Sequence, residues 1–264
     1  MSVDPVLVSA LVVGARKTGT TWLYENFKLS SIVTVPSGIK ETGFFLPDSI
    51  LGNAEYHNLF NINGVAKCIF VEVDTSLLDS AGSPAKIKAY NAKMKIVVIR
   101  RDAHEFASSR FIQGKRKGLF THGTLLEELN TNRSFRNELR FSAHVERYRD
   151  HFPSEQILVI DYKGLQRDPC RFYNDVFSFI TGQSADHYLN TIVINKAREA
   201  RFTHIFLSGV ALGKWLRKHR LYFIANFLKS IANTSFFQKK SNGVSLSAKE
   251  IALIRSISRS ALEE

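Results

Sequence analysis

The stretch Val6-Leu7-Val8-Ser9-Ala10-Leu11-Val12-Val13-Gly14-Ala15-Arg16-Lys17-Thr18-Gly19-Thr20-Thr21-Trp22 decides how the rest of the chain is read. The unbroken apolar run Val6–Val13, rich in β-branched residues, is the pattern of a strand buried on both faces. It ends at Gly14, and Thr20 to Phe27 then reads as the opening of a helix. A strand that passes through glycines into a helix makes an oxyanion site. The glycines let backbone approach, and the first helical N–H groups point outward with the positive end of the helix dipole. Lys17 adds a cation, and Thr20 and Thr21 add hydroxyl donors. A Walker loop needs its lysine directly after the second glycine, followed by Ser or Thr. Here Lys17 precedes Gly19, so that pattern is not met.

Outward from this loop, short apolar runs alternate with helical stretches, the mark of βαβ units and a parallel sheet. Strands are expected at Ile32–Val35, Cys68–Val73, Lys95–Ile99 and Gln156–Ile160. Helices are expected after Asp102 (a side chain suited to N-capping), over Phe141–Phe152 and from Pro169 to Ile180. Neither a repeat nor a linker interrupts the pattern. The fold class is therefore α/β: a single domain over 1–264, with a central, mostly parallel β-sheet flanked by helices and a nucleotide-binding loop of P-loop type. A helical, basic C-terminal part is expected from about residue 193.

Composition fits a globular chain, with 44% hydrophobic and 23% charged residues. No run approaches the roughly 20 apolar residues of a membrane span. Cys68 and Cys170 make neither a disulfide framework nor a metal quartet, so a cytoplasmic protein is expected. The net charge of +12 is uneven. From Val193 onward 13 Lys/Arg stand against four acids, placing nine of the twelve charges in the last 72 residues. Two readings stand there: a solvated basic face, or contact with a polyanion or an acidic membrane surface. Specific nucleic-acid binding is not expected. Phe206–Phe237 mixes apolar and basic residues at helical spacing, suiting core-packing helices or a helix lying on a membrane.

A second element lies in Val98-Ile99-Arg100-Arg101-Asp102-Ala103-His104-Glu105-Phe106-Ala107-Ser108-Ser109, where Arg101 follows an apolar strand and Ser109 lies eight residues on. An arginine fork grips phosphate through two nitrogens. With the first loop, this stretch resembles the sulfotransferases that use 3′-phosphoadenosine-5′-phosphosulfate (PAPS), over about residues 6 to 185. The resemblance implies PAPS as co-substrate, PAP (adenosine 3′,5′-bisphosphate) as product, and no metal. It also implies nucleotide binding by Arg16, Lys17, Thr18, Gly19, Thr20, Thr21, Trp22, Arg101 and Ser109. Within that set Lys17 meets the leaving phosphate, and Arg101 and Ser109 grip the 3′-phosphate. Trp22 matches a tryptophan that stacks on adenine, and equally suits a core position. Ala103 and Phe106 depart from a frequent proline and arginine of the family. The family's Lys-Gly-rich C-terminal loop is not recognisable.

Lys40-Glu41-Thr42-Gly43-Phe44-Phe45 resembles the Lys-Glu-x-x-Phe-Phe segment of the carbohydrate branch, whose glutamate is the base. The resemblance assigns Glu41 and Lys17 to catalysis. Lys40 is left to orient Glu41 or to meet an anionic acceptor. The bland reading is a surface carboxylate beside a Phe44-Phe45 core pair. Gly43 stands where the family often has histidine. Glu72-Val73-Asp74-Thr75-Ser76 lacks the lysine frequent in the branch's third-strand segment. The acceptor class is a carbohydrate, glycolipid or small metabolite carrying a hydroxyl or amine. Two rival classes remain. One is a P-loop kinase-like NTP-dependent transferase, with Asp74 as the metal-binding acid. The other is a non-catalytic protein binding anions or a membrane surface.

Overall fold

The computed structural model describes residues 7–60, 69–185, 198–200, 238–240 and 246–260. In chain order the elements are β1 (Val8–Gly14), α1 (Thr20–Phe27), β2 (Val33–Thr34), α2 (Asn53–His57), β3 (Ile69–Val73) and α3 (Ser83–Tyr90). Then come β4 (Lys95–Arg100), α4 (Ala103–Arg116), α5 (Leu125–Thr131), α6 (Arg133–Glu138), α7 (Phe141–Arg149), β5 (Ile157–Asp161), α8 (Tyr162–Arg167) and α9 (Pro169–Thr181). Last are β6 (Arg198–Ala200), β7 (Gln238–Lys240) and α10 (Ala248–Arg259). The chain divides into two compact units. One holds Met1–Arg101 and Phe141–Ile194 with Leu262–Glu264, and the other Asp102–Arg140 and Asn195–Ala261.

In the first unit the apolar runs form a five-stranded sheet of order β2-β3-β1-β4-β5. Every pairing is parallel, with Val12 opposite both Val73 and Val97, and Ile99 opposite Ile160. The chain leaves β1 toward one edge, returns through β3 beside β1, and continues on β1's other side. The order thus reverses at β1, and crevices outside the carboxyl ends of strands open at such reversals. β1 and β4 are almost wholly buried, which is why they read as continuous hydrophobic runs. Helix α9 lays Phe172, Tyr173, Val176, Phe177 and Ile180 into the core, a helical stripe that α1 joins with Leu23 and Phe27. Its ends are written in sequence: Asp168 accepts from the Arg171 N–H, Pro169 takes the first turn, and Gly182 closes it at φ +75.

In the second unit Asp102 caps α4 as expected, accepting from the amides of His104 and Glu105. Thr124 with Glu127 and Ser247 with Glu250 form capping boxes that start α5 and α10. Arg110 is buried and pairs with Glu138, so it is internal support and not a surface residue. The basic C-terminal part is helical in α10. However, β6 and β7 pair antiparallel, where the sequence reading had only helix. Residues 201–237, and with them the whole amphipathic Phe206–Phe237 segment, lie outside the described residues. Among the described residues, no helix is long and apolar enough to cross a membrane.

Candidate active site

The phosphate loop leaves β1 with its backbone tightly constrained. Lys17 adopts φ +63 and Gly19 φ +77, both in the left-handed region. That conformation costs a non-glycine residue about 1 kcal/mol and, where it persists, tends to mark a functional turn. Gly19 also packs closely, and a Cβ there would have to displace the end of the Leu165 side chain on α8. Gly19 is the N-cap of α1 and has no side chain with which to cap the first-turn amides.

Two neighbours meet this loop from opposite sides of β1. From the tip of β4, Arg101 donates from Nη1 to the Lys17 carbonyl at 2.7 Å, and its guanidinium lies 4.8 Å from the Tyr162 ring centroid. From the segment after β2, the Lys40 ammonium reaches the Thr20 hydroxyl at 3.1 Å and Glu41 Oε1 at 3.1 Å. The same Glu41 oxygen accepts from the Thr75 hydroxyl at 2.7 Å. Lys17, Thr20, Lys40, Glu41 and Arg101 thus lie along one run of contacts, as sheet order dictates: β2, β3, β1 and β4 present their carboxyl ends side by side.

Three residues assigned to the nucleotide have partners within the protein. The Arg16 guanidinium forms an ion pair with Asp79 at 2.7 Å. Thr18 is fully buried, and its hydroxyl turns back to the Ala15 carbonyl at 2.6 Å, so it builds the turn itself. Trp22 belongs to the core, 6% exposed and edge-on to Tyr173, because the third position of α1 faces the core. Thr21 is half-buried on α1, and Ser109 stands on α4 in the second unit.

Electrostatics keep Glu41 ionised. Burial pushes its carboxyl upward, but the Lys40 charge, the Thr75 and Lys40 hydrogen bonds and the more distant Arg16 outweigh this. They hold it below the ordinary value of 4.5. Its side chain remains 46% exposed, while Phe44 and Phe45 behind it are buried. Asp74, the tempting acid of a kinase, has both oxygens engaged: Oδ2 with the Gly43 N–H and Oδ1 with the amide and hydroxyl of Ser76.

A sulfotransferase domain family matches residues 8–207. The chain belongs to that family, the PAPS-dependent sulfotransferases. Among its relatives is the bifunctional heparan sulfate N-deacetylase/N-sulfotransferase 1 of Xenopus laevis, 25% identical over 204 residues. That match takes in 70% of this chain and 23% of the relative. The human heparan sulfate glucosamine 3-O-sulfotransferase 5 is 26% identical over 175 residues, covering 62% of this chain and 50% of the relative. The chain therefore spans half or less of the length of these two relatives. The crystal structure of a sulfotransferase from Alicyclobacillus acidocaldarius superposes with a TM-score of 0.63 at 21% identity, covering 84% of this chain and 96% of that one. The likeness is one of fold.

Within this sulfotransferase fold several residues belong to the site that sequence reasoning did not assign to it. Thr75 holds Glu41, Asp79 holds Arg16, and Tyr162 lies against Arg101. Glu72, fully buried, accepts from the Thr42 amide at 3.0 Å, the Thr42 hydroxyl at 2.5 Å and the Tyr56 hydroxyl at 2.6 Å. The alternation of Glu72 and Asp74 at the end of a buried strand was the available signal, because acids there need partners. Which partners they have depends on residues about 30 positions away.

Proposed function

We propose that the chain transfers a sulfuryl group from PAPS to a hydroxyl or amine of a carbohydrate acceptor, with Glu41 as general base and Lys17 stabilising the leaving phosphate. The observation that supports it best is the direct contact between Arg101 and the Lys17 carbonyl, with Glu41 tied to the other side of the same loop through Lys40 and Thr20. The residues present suit a bisphosphorylated adenosine. The α1 N-terminus and Lys17 match the 5′-phosphosulfate, and Arg101 at the neighbouring strand tip matches the 3′-phosphate. Ser109 joins Arg101 in this reading on sequence spacing alone. The carbohydrate acceptor is inferred from the heparan sulfate acceptors in the relatives' names.

Bound PAPS supplies an activated sulfuryl group, whose S–O bond to the 5′-phosphate breaks as the acceptor's oxygen or nitrogen bonds to sulfur and the electron pair leaves on the phosphate. Glu41, kept ionised by Lys40 and Thr75, takes the acceptor's proton. Lys17 and the first amides of α1 meet the charge that grows on the phosphate. Lys40 bridges Glu41 to Thr20, setting the base at a fixed reach from the loop.

Calorimetry and radiolabelled sulfuryl transfer test this reading. PAP is expected to bind at least tenfold more tightly than AMP, as an arginine–phosphate contact implies. Lys17→Ala is expected to lower turnover by roughly 10²–10³ and Glu41→Gln by roughly 10²–10⁴. Equal affinity for PAP and AMP, with no transfer to any glycan, would overturn it.

A further inference from the structure

The segment that carries Glu41 has neither helix nor strand of its own over residues 40–46. A base on such a loop is only as well placed as whatever holds the loop. Here the holds are side chains from distant elements. Glu72 takes both the amide and the hydroxyl of Thr42, and that hydroxyl in turn accepts from the Phe44 N–H at 3.0 Å. Asp74 takes the Gly43 N–H at 2.9 Å, where the chain turns through φ +70. Thr75 takes the carboxylate of Glu41 itself. From α3, Lys86 donates to the carbonyls of Phe44 at 2.6 Å and Leu46 at 2.9 Å. The short stretch Glu72–Thr75 therefore grips residues 41, 42 and 43 in turn.

Glu72 is the costly member of this clamp. It is fully buried, and Phe44 and Tyr56, stacked at 3.9 Å, lie in the same packed layer. An apolar residue would fill such a place without stripping a carboxyl of water, and buried polar groups are often retained for placement more than for stability. Resting on the reading of Glu41 as base, we propose that Glu72 is a positioning residue of the transfer reaction. By fixing the amide and hydroxyl of Thr42, it sets the adjacent Glu41 carboxylate against Thr75 and Lys40 at the phosphate loop. Glu72 touches no reacting atom, and its effect passes through Thr42.

The test uses the full chain with radiolabelled PAPS and N-desulfated heparan sulfate. PAPS hydrolysis, in which water takes the acceptor's place, is followed in parallel. Rates are normalised to the number of PAP-binding sites, so that poorly folded protein does not count. Glu72→Ala is expected to lower kcat ten- to hundredfold, the scale of a catalytic group displaced by about 1 Å. PAP affinity should stay within about twofold. Glu72→Gln, which can still accept from Thr42 and donate to Tyr56, should recover most of the rate. Thr42→Val should lose about tenfold and Thr42→Ser should regain it. A site-normalised kcat equal to wild type in Glu72→Ala overturns the proposal, and so does an unaffected Thr42→Val where Glu72→Ala does not fold. If Glu41→Gln is inactive while the Glu72 and Thr42 variants turn over normally, only the positioning role falls. If Glu41→Gln turns over like wild type, the base assignment and the positioning role fall together.

Discussion

Replacing Glu72 with glutamine should change how stability depends on pH, and the size of the effect follows from the site. Burial, with the nearby Asp74 charge, pushes the Glu72 carboxyl from its ordinary 4.5 up to about 8, although Thr42 and Tyr56 hydrogen bonds pull the other way. The folded chain therefore keeps a proton that the unfolded chain releases above pH 4.5. Stability from this group is complete below that value and is lost as pH rises toward 8. Each pH unit inside the window costs about 1.4 kcal/mol. From pH 6 to pH 8, allowing for partial ionisation near the upper limit, the wild type should lose about 2 kcal/mol through Glu72. Glutamine cannot ionise, so Glu72→Gln should lack this component. Urea unfolding of both proteins at pH 6, 7 and 8 isolates it, because other titrating groups are common to the pair and drop out of the difference. The stability of wild type relative to Glu72→Gln should fall by about 2 kcal/mol across the series. A difference that stays level would mean that Glu72 is ionised in the folded protein throughout, and the argument from burial would be wrong.

Two further outcomes follow from other contacts. Arg101→Ala should weaken PAP binding about tenfold to a hundredfold by calorimetry, and AMP binding less than about threefold, because only PAP offers a 3′-phosphate to the arginine fork. Equal losses for both nucleotides would remove Arg101 from that role. In the second unit, Arg110 donates to both oxygens of Glu138 at 2.5 and 2.8 Å, with the two side chains 9% and 5% exposed, and lies over the Phe120 ring. Arg110→Ala strands Glu138 as a buried charge and should destabilise by about 3–5 kcal/mol. A thermal midpoint unmoved by more than about 2 °C would show that the pair is dispensable.

The sheet was legible where strands are buried on both faces, because burial writes itself as an unbroken apolar run. Val8–Gly14 and Lys95–Arg100 fall within a residue or two of the runs in the sequence. Helices α1 and α9 were legible for other reasons, α1 because it follows a glycine loop out of β1, and α9 because Pro169 marks one end and a hydrophobic stripe runs along it. The short helices α2, α3, α5, α6 and α8, five to eight residues each, were not, since so few residues carry less than two or three turns of periodicity. At the site, Gly19 stands out because glycine suits the turn before a helix, and Lys17 and Arg101 because each is a cation just past a buried strand. Trp22 was ambiguous by nature. A large ring at the start of a helix suits a core or a stacking platform equally, and only tertiary contact with Tyr173 decides for the core.

The two halves of the site differ in how they are held, and that difference explains whose supports could be read. The phosphate loop is shaped in good part by its own backbone and near neighbours: Thr18 bonds to Ala15, the Leu23 amide to Gly19, and Lys17 and Gly19 turn through positive φ, with Arg101 and Asp79 adding contacts from farther along the chain. Such a structure survives as a short motif. The base segment Lys40–Phe45 was recognisable by resemblance, but it is fixed by Glu72, Asp74, Thr75 and Lys86, all about 30 to 40 residues away along the chain, so no local pattern announces what holds it. It follows that changes at these four positions can re-aim Glu41 without disturbing the contact between Arg101 and Lys17. The bridge from Lys40 to Thr20 then limits how far the base can swing before it parts from the loop it serves.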